Sequence, residues 1–135
     1  MVISKNNLAN KKITILGMKK SGYSAALLAS KFGSAVLISD SNKDEIINHN
    51  YKKLKEAGIQ CEIGGHTNEI YSSDLWIISP GIPKDANVIK KATKLKIPII
   101  SEIEFAGNLS KSKNICITGT NGKTSVVSFF IIIGL

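Results

Sequence analysis

The 135-residue sequence predicts an α/β fold in which a parallel sheet carries helices on both faces. Short apolar runs alternate five times with segments of helical pattern, which indicates parallel strands joined by right-handed helical crossovers. A further apolar run near the end of the chain enters a second glycine-rich turn, "GTNGKT". Together these observations predict a Rossmann-like sheet followed by the first strand, phosphate loop (P-loop) and helix of a second α/β domain.

The first predicted domain covers residues 1–109 and the second begins at 110 and continues to 135. The first domain opens with the strand "KITIL", a helix ending at Gly33, the strand "SAVLIS" and a helix that Ser41 is predicted to cap and that runs to about Ala57. It continues with the strands "IQCEI" and "DLWIIS", a helix through "NVIKKATKL", a strand at Ile97–Ile100 and a short helix at "SEIEFAGNL". "SKSKN" is predicted to be a linker, and "ICIT" a sixth strand.

The composition narrows the function classes. The net charge is +8, and lysine supplies all eighteen basic residues without any arginine. Scattered lysine predicts a solvated surface that can favour anionic small molecules such as nucleotides, and no nucleic-acid partner. The two cysteines lie apart in apolar runs and the N-terminus is polar, so a cytoplasmic protein with buried thiols is expected. "VVSFFIIIGL" is too short to span a membrane.

The turn "GTNGKTS", Gly119 to Ser125, predicts a phosphate-binding loop. A glycine-rich turn between a strand and a helix directs several backbone N–H groups at one point, where the helix dipole adds positive charge. In this pattern Lys123 reaches the outer phosphates and the Thr124 hydroxyl ligates Mg²⁺. The general pattern G-x-x-x-x-G-K-[ST] is incomplete, because Ile117 stands where the first glycine belongs.

The turn after the first strand, Gly17 to Gly22, resembles the dinucleotide fingerprint G-x-G-x-x-G. Lys19 occupies the middle glycine position, which argues against the close approach of a pyrophosphate that NAD requires. Asp40 nevertheless ends the next strand, where the fingerprint expects an acid that binds ribose. The interpretation of this turn as a site for a nucleotide bound in another pose therefore stays open.

Five other residues receive structural interpretations. His49 is expected to be solvated on a polar helix, and His66, between "GG" and Thr67, is expected to be structural although its flanking glycines stand out. Glu102 and Glu104 do not share a helix face, so they are not predicted to form an acid–base pair. Trp76 is expected in the core.

Taken together, the segments "ILGMKKSGYSAA", "DLWIISPGIPKD", "IPIISEIEF" and "ITGTNGKTS" resemble the Mur ligase family. They occur in the family's order and cover nearly the whole chain, but only the first part of such an enzyme. "GTNGKT" is the family's own form of the phosphate loop, which accounts for the missing first glycine.

The resemblance implies an ATP-dependent ligase that adds D-glutamate to UDP-N-acetylmuramoyl-L-alanine through an acyl phosphate, in the synthesis of peptidoglycan precursors. It implies a UDP-substrate site in the first domain and an ATP site in the second, with Lys123 catalytic and Thr124 the Mg²⁺ ligand. A monomeric full-length enzyme is expected, and the present chain alone is expected to be inactive. The residues implied for the UDP substrate are Lys20 and Ser21 at the diphosphate and Asp40, Ser41 and Gly81 at the uracil, and those implied for ATP are Gly119, Thr120, Asn121, Gly122, Lys123, Thr124 and Ser125.

Two alternatives from other classes remain. Gly17, Gly22 and Asp40 would also suit an NAD(P)-binding domain of an oxidoreductase or a sensor. A non-catalytic nucleotide-binding module would use the first domain only.

Overall fold

The computed structural model describes residues 3–110, which form one parallel five-stranded sheet. The strand order is β3-β2-β1-β4-β5, so the chain builds outward from β1 in one direction and then crosses to the other side of it. This reversal puts a topological switch point between β1 and β4. The strands are β1 (Lys12–Leu16), β2 (Ala35–Asp40), β3 (Gln60–Ile63), β4 (Leu75–Ile78) and β5 (Ile99–Ser101).

Helices cover both faces of the sheet, as the alternating sequence pattern predicts. Because strand side chains alternate between faces, β1, β2, β4 and β5 contribute to two separate apolar clusters, whereas β3 contributes only to the larger one. The larger cluster joins the sheet to α1, α2 and α4, and the smaller joins it to α3 and a short 3₁₀ helix at Asn68–Tyr71. The helices are α1 (Lys20–Lys31), α2 (Glu45–Glu56), α3 (Asn87–Lys94) and α4 (Glu102–Leu109).

Small residues let α1 pack closely on the sheet. Ala25, Ala26 and Ala29 are buried along one side of the helix, where they contact the strand cluster. Their short side chains allow the helix backbone to approach β1 and β2, which carry large side chains such as Ile15 and Ile38. This close approach brings the first turn of α1 directly over the end of β1.

Trp76 is fully buried in the smaller cluster, as the sequence predicts. Its indole N–H donates to the carbonyl of Ile70 at 2.7 Å, and the hydroxyl of Thr14 donates to the same carbonyl at 3.0 Å. Tyr71 lies against the indole with ring centroids 5.5 Å apart. These contacts satisfy the buried polar groups and hold the 3₁₀ helix, which is part of the connection from β3 to β4, against the smaller cluster.

The start of α2 corrects one prediction. The sequence suggests Ser41 as its N-cap, whereas α2 begins at Glu45 and Asp44 caps it by accepting a hydrogen bond from the Ile47 N–H at 3.0 Å. Both residue types cap helices well, so propensity alone does not choose between them. The difference arises because the Asn42 N–H bonds to Asp40 at 2.8 Å, which keeps the chain in a turn beyond Ser41.

Cys61 is buried in β3 beside the larger cluster, in agreement with the sequence prediction. Burial raises the pKa of its thiol to about 11, and the nearby Lys55 offsets part of that effect. A thiol with so high a pKa is almost entirely protonated near neutral pH and is therefore a poor nucleophile.

Several predictions fall on the final segment. The predicted sixth strand, the second cysteine and the phosphate loop lie outside the described residues, so these features and the domain boundary near residue 110 stay predictions. Within residues 3–110, no helix is both long and apolar enough to cross a membrane.

Substitutions of two adjacent isoleucines test which side of α2 packs against the sheet. Ile47 is 0% exposed and Ile46 is 61% exposed. We expect Ile47→Ala to lower the free energy of unfolding by about 2–5 kcal/mol, because it leaves a cavity between α2 and the sheet. Ile46→Ala makes the same chemical change at the surface and should alter it by about 0.5 kcal/mol or less. Urea denaturation of both variants measures the difference, and equal effects would contradict the orientation of α2.

Candidate functional site

The carboxyl ends of the strands form the candidate site. In open parallel sheets, ligands bind beyond this edge at the switch point, which here lies between β1 and β4. The turn at Gly17–Lys19 follows β1, the segment 41–44 follows β2 and the segment 79–83 follows β4. The strand order places these three segments side by side.

The turn after β1 is fixed by its neighbours before any ligand arrives. The Gly17 N–H donates to the Ser39 carbonyl at 2.9 Å. The Met18 N–H donates to the Asp40 carboxylate at 2.8 Å, and the Met18 carbonyl accepts from the Asn50 side chain at 2.8 Å. Bonds from β2 and α2 thus hold both sides of the turn, so it does not need to reorganise on binding.

The first turn of α1 provides an anion-binding geometry. Lys19 is the N-cap in an extended conformation, and no side chain within the described residues caps the first N–H groups. Lys20 and Ser21 follow it at the exposed start of the helix. Free N–H groups, the positive end of the helix dipole and a lysine together favour a phosphate-like anion.

Gly22 brings this helix start against the turn. A β-carbon at position 22 would overlap the Gly17 carbonyl oxygen, so only glycine permits the observed separation. Gly17 has a φ of +103°, and a β-carbon there would overlap the Ser79 side chain. Both glycines are therefore required by the packing at the switch point.

Asp40 is held at the end of β2 with only 7% of its surface exposed. Its Oδ2 accepts from the Met18 N–H and its Oδ1 from the Asn42 N–H, both at 2.8 Å. Each carboxylate oxygen has a second lone pair, so the group can still accept from a ligand. Ser41, the next residue, is exposed.

On the other side of the switch point, a buried carboxylate supports the turn after β4. Glu102, 7% exposed at the start of α4, accepts a hydrogen bond from the Ser79 hydroxyl at 2.7 Å. The Ser79 N–H also donates to the Leu16 carbonyl at 3.1 Å. Gly81 lies exposed two residues further along. The pair from β4 and α4 thus sets the direction of the segment that carries Gly81.

A third polar group lies at the ends of β2 and β3. The Ser39 hydroxyl is 2.7 Å from a Glu62 oxygen and 2.6 Å from Nδ1 of His66. Ser39 is fully buried and His66 is half-buried. The pairing of Ser39 with Glu62 across the parallel strands brings these groups together.

No group of three or more His, Cys, Asp or Glu side chains within residues 3–110 could hold a metal ion. The predicted Mg²⁺ ligand Thr124 and the other residues of the phosphate loop lie outside this range. Their roles stay predictions.

Comparison with known proteins identifies the family. A model described as the N-terminal domain of MurD-like Mur ligases matches residues 11–101, which span the sheet and its site. The chain belongs to the MurD-like Mur ligases. The UDP-N-acetylmuramoylalanine–D-glutamate ligase of Chloroherpeton thalassium is 41% identical over 90% of the chain, and that of Bacteroides fragilis is 47% identical over 87%.

The chain spans about a quarter of the length of these MurD-like relatives, 26% in both cases. A solved Mur ligase agrees in fold. The UDP-N-acetylmuramate–alanine ligase MurC of Thermotoga maritima has a TM-score of 0.62 and 28% identity, and the match covers 85% of this chain and 27% of that one. The family membership and the Rossmann-like fold predicted from the sequence are therefore confirmed.

The structure places all five residues predicted for the UDP substrate at one edge of the sheet. Lys20 and Ser21 begin α1, Asp40 ends β2 and is followed by Ser41, and Gly81 follows β4. Which ligand atoms they contact stays a prediction. Sequence reasoning missed the contacts of Glu102 and of His66, because both depend on residues that are 23 and 27 positions away in the chain.

A pair of glycine substitutions tests the close packing at the switch point. We expect Gly22→Ala to lower the free energy of unfolding by about 1–3 kcal/mol, because the new methyl group must displace the Gly17 carbonyl. Gly81→Ala adds the same methyl group where no atom lies within 4 Å, so it should be neutral within about 1 kcal/mol. Urea denaturation without ligand measures both, and a neutral Gly22→Ala would contradict the described contact.

Proposed function

We propose that this chain is the UDP-substrate-binding part of an ATP-dependent ligase that adds D-glutamate to UDP-N-acetylmuramoyl-L-alanine. One observation carries the proposal: an uncapped helix start lies beside a buried carboxylate at the switch point of a MurD-like sheet. The names of its MurD-like relatives supply the substrates, which the local geometry alone does not define.

In this proposal the diphosphate of the substrate occupies the start of α1. Backbone N–H groups of the first turn bind its oxygens, with Lys20 and the Ser21 hydroxyl adding charge and a donor. The Met18 and Gly17 bonds support this by holding the turn in place.

The uridine then lies over the end of β2, where Asp40 and Ser41 face it. A carboxylate fixed by two backbone N–H groups has a defined orientation and accepts from a donor of the nucleoside. Gly81 borders the ligand from the turn after β4, where the lack of a side chain leaves room. The UDP substrate thereby contacts three strand ends.

The ATP-binding part of the proposal rests on residues Gly119 to Ser125. Lys123 neutralises charge on the phosphoryl group while it passes from ATP to the substrate carboxylate, and the D-glutamate amine then displaces phosphate to form the amide. Mg²⁺, held by Thr124, would supply further neutralisation of the phosphates. A cytoplasmic location is part of this proposal, since the reaction consumes ATP.

The main competing interpretation is a dinucleotide site, because Gly17, Gly22 and Asp40 are elements of the NAD fingerprint as well. Lys19 disfavours it, since a side chain stands where the pyrophosphate needs glycine. Titration of the 135-residue chain with UDP, NAD and ATP in a calorimeter separates the interpretations. UDP should bind more tightly than NAD, and the reverse order would contradict the proposal.

Removal of the carboxylate at position 40 tests the uridine site. Asp40→Ala should weaken UDP binding by about 1–2 kcal/mol, because the ligand loses a hydrogen bond to an ionised acceptor and the turn loses its support. Glu56→Ala removes the same charge from an exposed position at the opposite end of α2 and serves as the control. Calorimetry measures the affinity of both variants for UDP, and thermal unfolding establishes that both are folded. Equal affinities for UDP would argue against a role for Asp40.

Lys123→Ala tests the assignment of the phosphate loop. In a ligase of the relatives' length that begins with this sequence, the substitution should abolish ligation and leave UDP-substrate binding unchanged, because the two nucleotides use different sites. Lys31→Ala, an exposed lysine at the far end of α1, is the control. Phosphate release measures the reaction. Near-normal release by Lys123→Ala would rule out its catalytic role.

A further inference from the structure

The polar group at the ends of β2 and β3 has a defined pattern of hydrogen bonds. The Glu62 carboxylate accepts from the Thr67 N–H at 3.0 Å, from the Thr67 hydroxyl at 2.7 Å and from the Ser39 hydroxyl at 2.7 Å. Three donors converge on one carboxyl group, which is the arrangement of an ionised acceptor. The Ser39 proton is therefore directed at Glu62.

This pattern fixes the role of His66. Because the only proton of the Ser39 hydroxyl is used by Glu62, the oxygen can only accept from Nδ1 of His66, 2.6 Å away. A histidine that donates through Nδ1 carries, in its neutral form, a lone pair on Nε2. Within residues 3–110, Nε2 has no hydrogen-bond partner. The imidazole thus has an anchored edge and an available acceptor edge.

The backbone places His66 near the end of β2, where the nucleoside is proposed to lie. Gly64 and Gly65 have φ values of +78° and +153°, which let the chain turn back after β3 and set His66 on Ser39. The Gly64 N–H donates to the Asn42 carbonyl at 3.1 Å, so the segment after β3 is joined to the segment after β2. Ser39 directly precedes Asp40. The imidazole therefore flanks the end of β2.

We propose that His66 is a nucleoside-recognition residue of the UDP site, whose Nε2 accepts a hydrogen bond from the ribose hydroxyls or from the uracil N3–H. This inference rests on the proposed function, since it requires a nucleoside over the end of β2. A ligand anchored by its diphosphate at α1 extends across β2, and the next strand outward is β3. Asp40 and His66 would then hold the nucleoside from two adjacent strand ends.

A purely structural role would have a different signature. If His66 only ties the segment 63–67 to Ser39, then a residue that donates from the position of Nδ1 suffices, and asparagine provides such a group. If Nε2 contacts the ligand, glutamine provides the acceptor further out. The asparagine and glutamine variants therefore distinguish an anchoring role of Nδ1 from a ligand contact of Nε2.

Calorimetric titration of the 135-residue chain with UDP tests the proposal. We expect His66→Ala to weaken UDP binding about fivefold to tenfold, the worth of one hydrogen bond, and His66→Gln to restore most of the loss. His66→Asn should restore thermal stability without restoring affinity. His49→Ala, a change at an exposed histidine on α2, should leave binding unchanged.

Two further measurements sharpen the test. Nitrogen-15 NMR of the imidazoles should show the Nδ1–H tautomer for His66 and a shift of its Nε2 signal on addition of UDP, with His49 unaffected. Titration with 2′-deoxy-UDP narrows the donor: if the loss caused by His66→Ala disappears, the contact is to the 2′-hydroxyl, and if it persists, the contact is to the 3′-hydroxyl or to uracil N3–H.

The outcomes distinguish this inference from the proposed function. If the unchanged chain binds UDP and His66→Ala binds it equally well, the inference fails and the proposed function stands. The inference also fails, and the proposed function stands, if His66→Asn restores affinity as fully as His66→Gln or if the Nε2 signal does not shift on addition of UDP. If the unchanged chain does not bind UDP, both are overturned.

Discussion

One buried carboxylate connects the parts of the candidate site. Asp40 accepts the Met18 N–H from the turn after β1 and the Asn42 N–H from the turn after β2. Charge-assisted bonds to backbone N–H groups are stronger than neutral ones and are held more firmly where water is excluded. The same residue therefore shapes the anion-binding turn and faces the position proposed for the nucleoside. Loss of Asp40 would disturb both positions, even though only one of them would touch it directly.

The position of α1 depends on this arrangement and on the absence of side chains at two glycines. Gly22 lets the helix start meet the Gly17 carbonyl, and Gly17 lets Ser79 approach from β4. The Ser79 hydroxyl in turn binds Glu102 of α4. The strand ends at the switch point are thus packed as one rigid edge, and a ligand there meets groups whose positions are already set. Such preorganisation lowers the entropy lost on binding.

Much of this fold could be predicted from local sequence. Apolar runs that end at a glycine or a polar residue locate the strands, and the burial of Trp76 and Cys61 follows from their neighbours. The start of α2 could not be predicted, because Asp44 and Ser41 cap equally well and a bond between Asn42 and Asp40 decides between them. The order of the strands places the ends of β2, β1 and β4 side by side, and this order accounts for the positions of the site residues.

The contacts of Glu102 and His66 required the tertiary structure. Nothing near Glu102 in sequence shows that Ser79 lies 2.7 Å from its carboxylate, since the contact depends on β4 and β5 being adjacent. The two glycines before His66 indicated an unusual turn, but they could not show that this turn brings His66 against Ser39. Ser39 and Glu62 become partners only through the register of β2 against β3.

The division of labour along the chain follows from where charge changes during the proposed reaction. In the proposed complex, the described residues would surround the diphosphate and nucleoside, which keep the same charge in the ground state and the transition state. Interactions that are equally strong in both states lower KM without raising kcat. The strand-end residues would therefore govern affinity and specificity for the UDP substrate. Acceleration of phosphoryl transfer would fall to groups that meet the transferring phosphoryl, such as Lys123, because only there does charge develop. Under the proposed function, this separation explains why a site built from fixed strand ends suits residues 3–110: they would hold one end of a long substrate still while the chemistry takes place at the other.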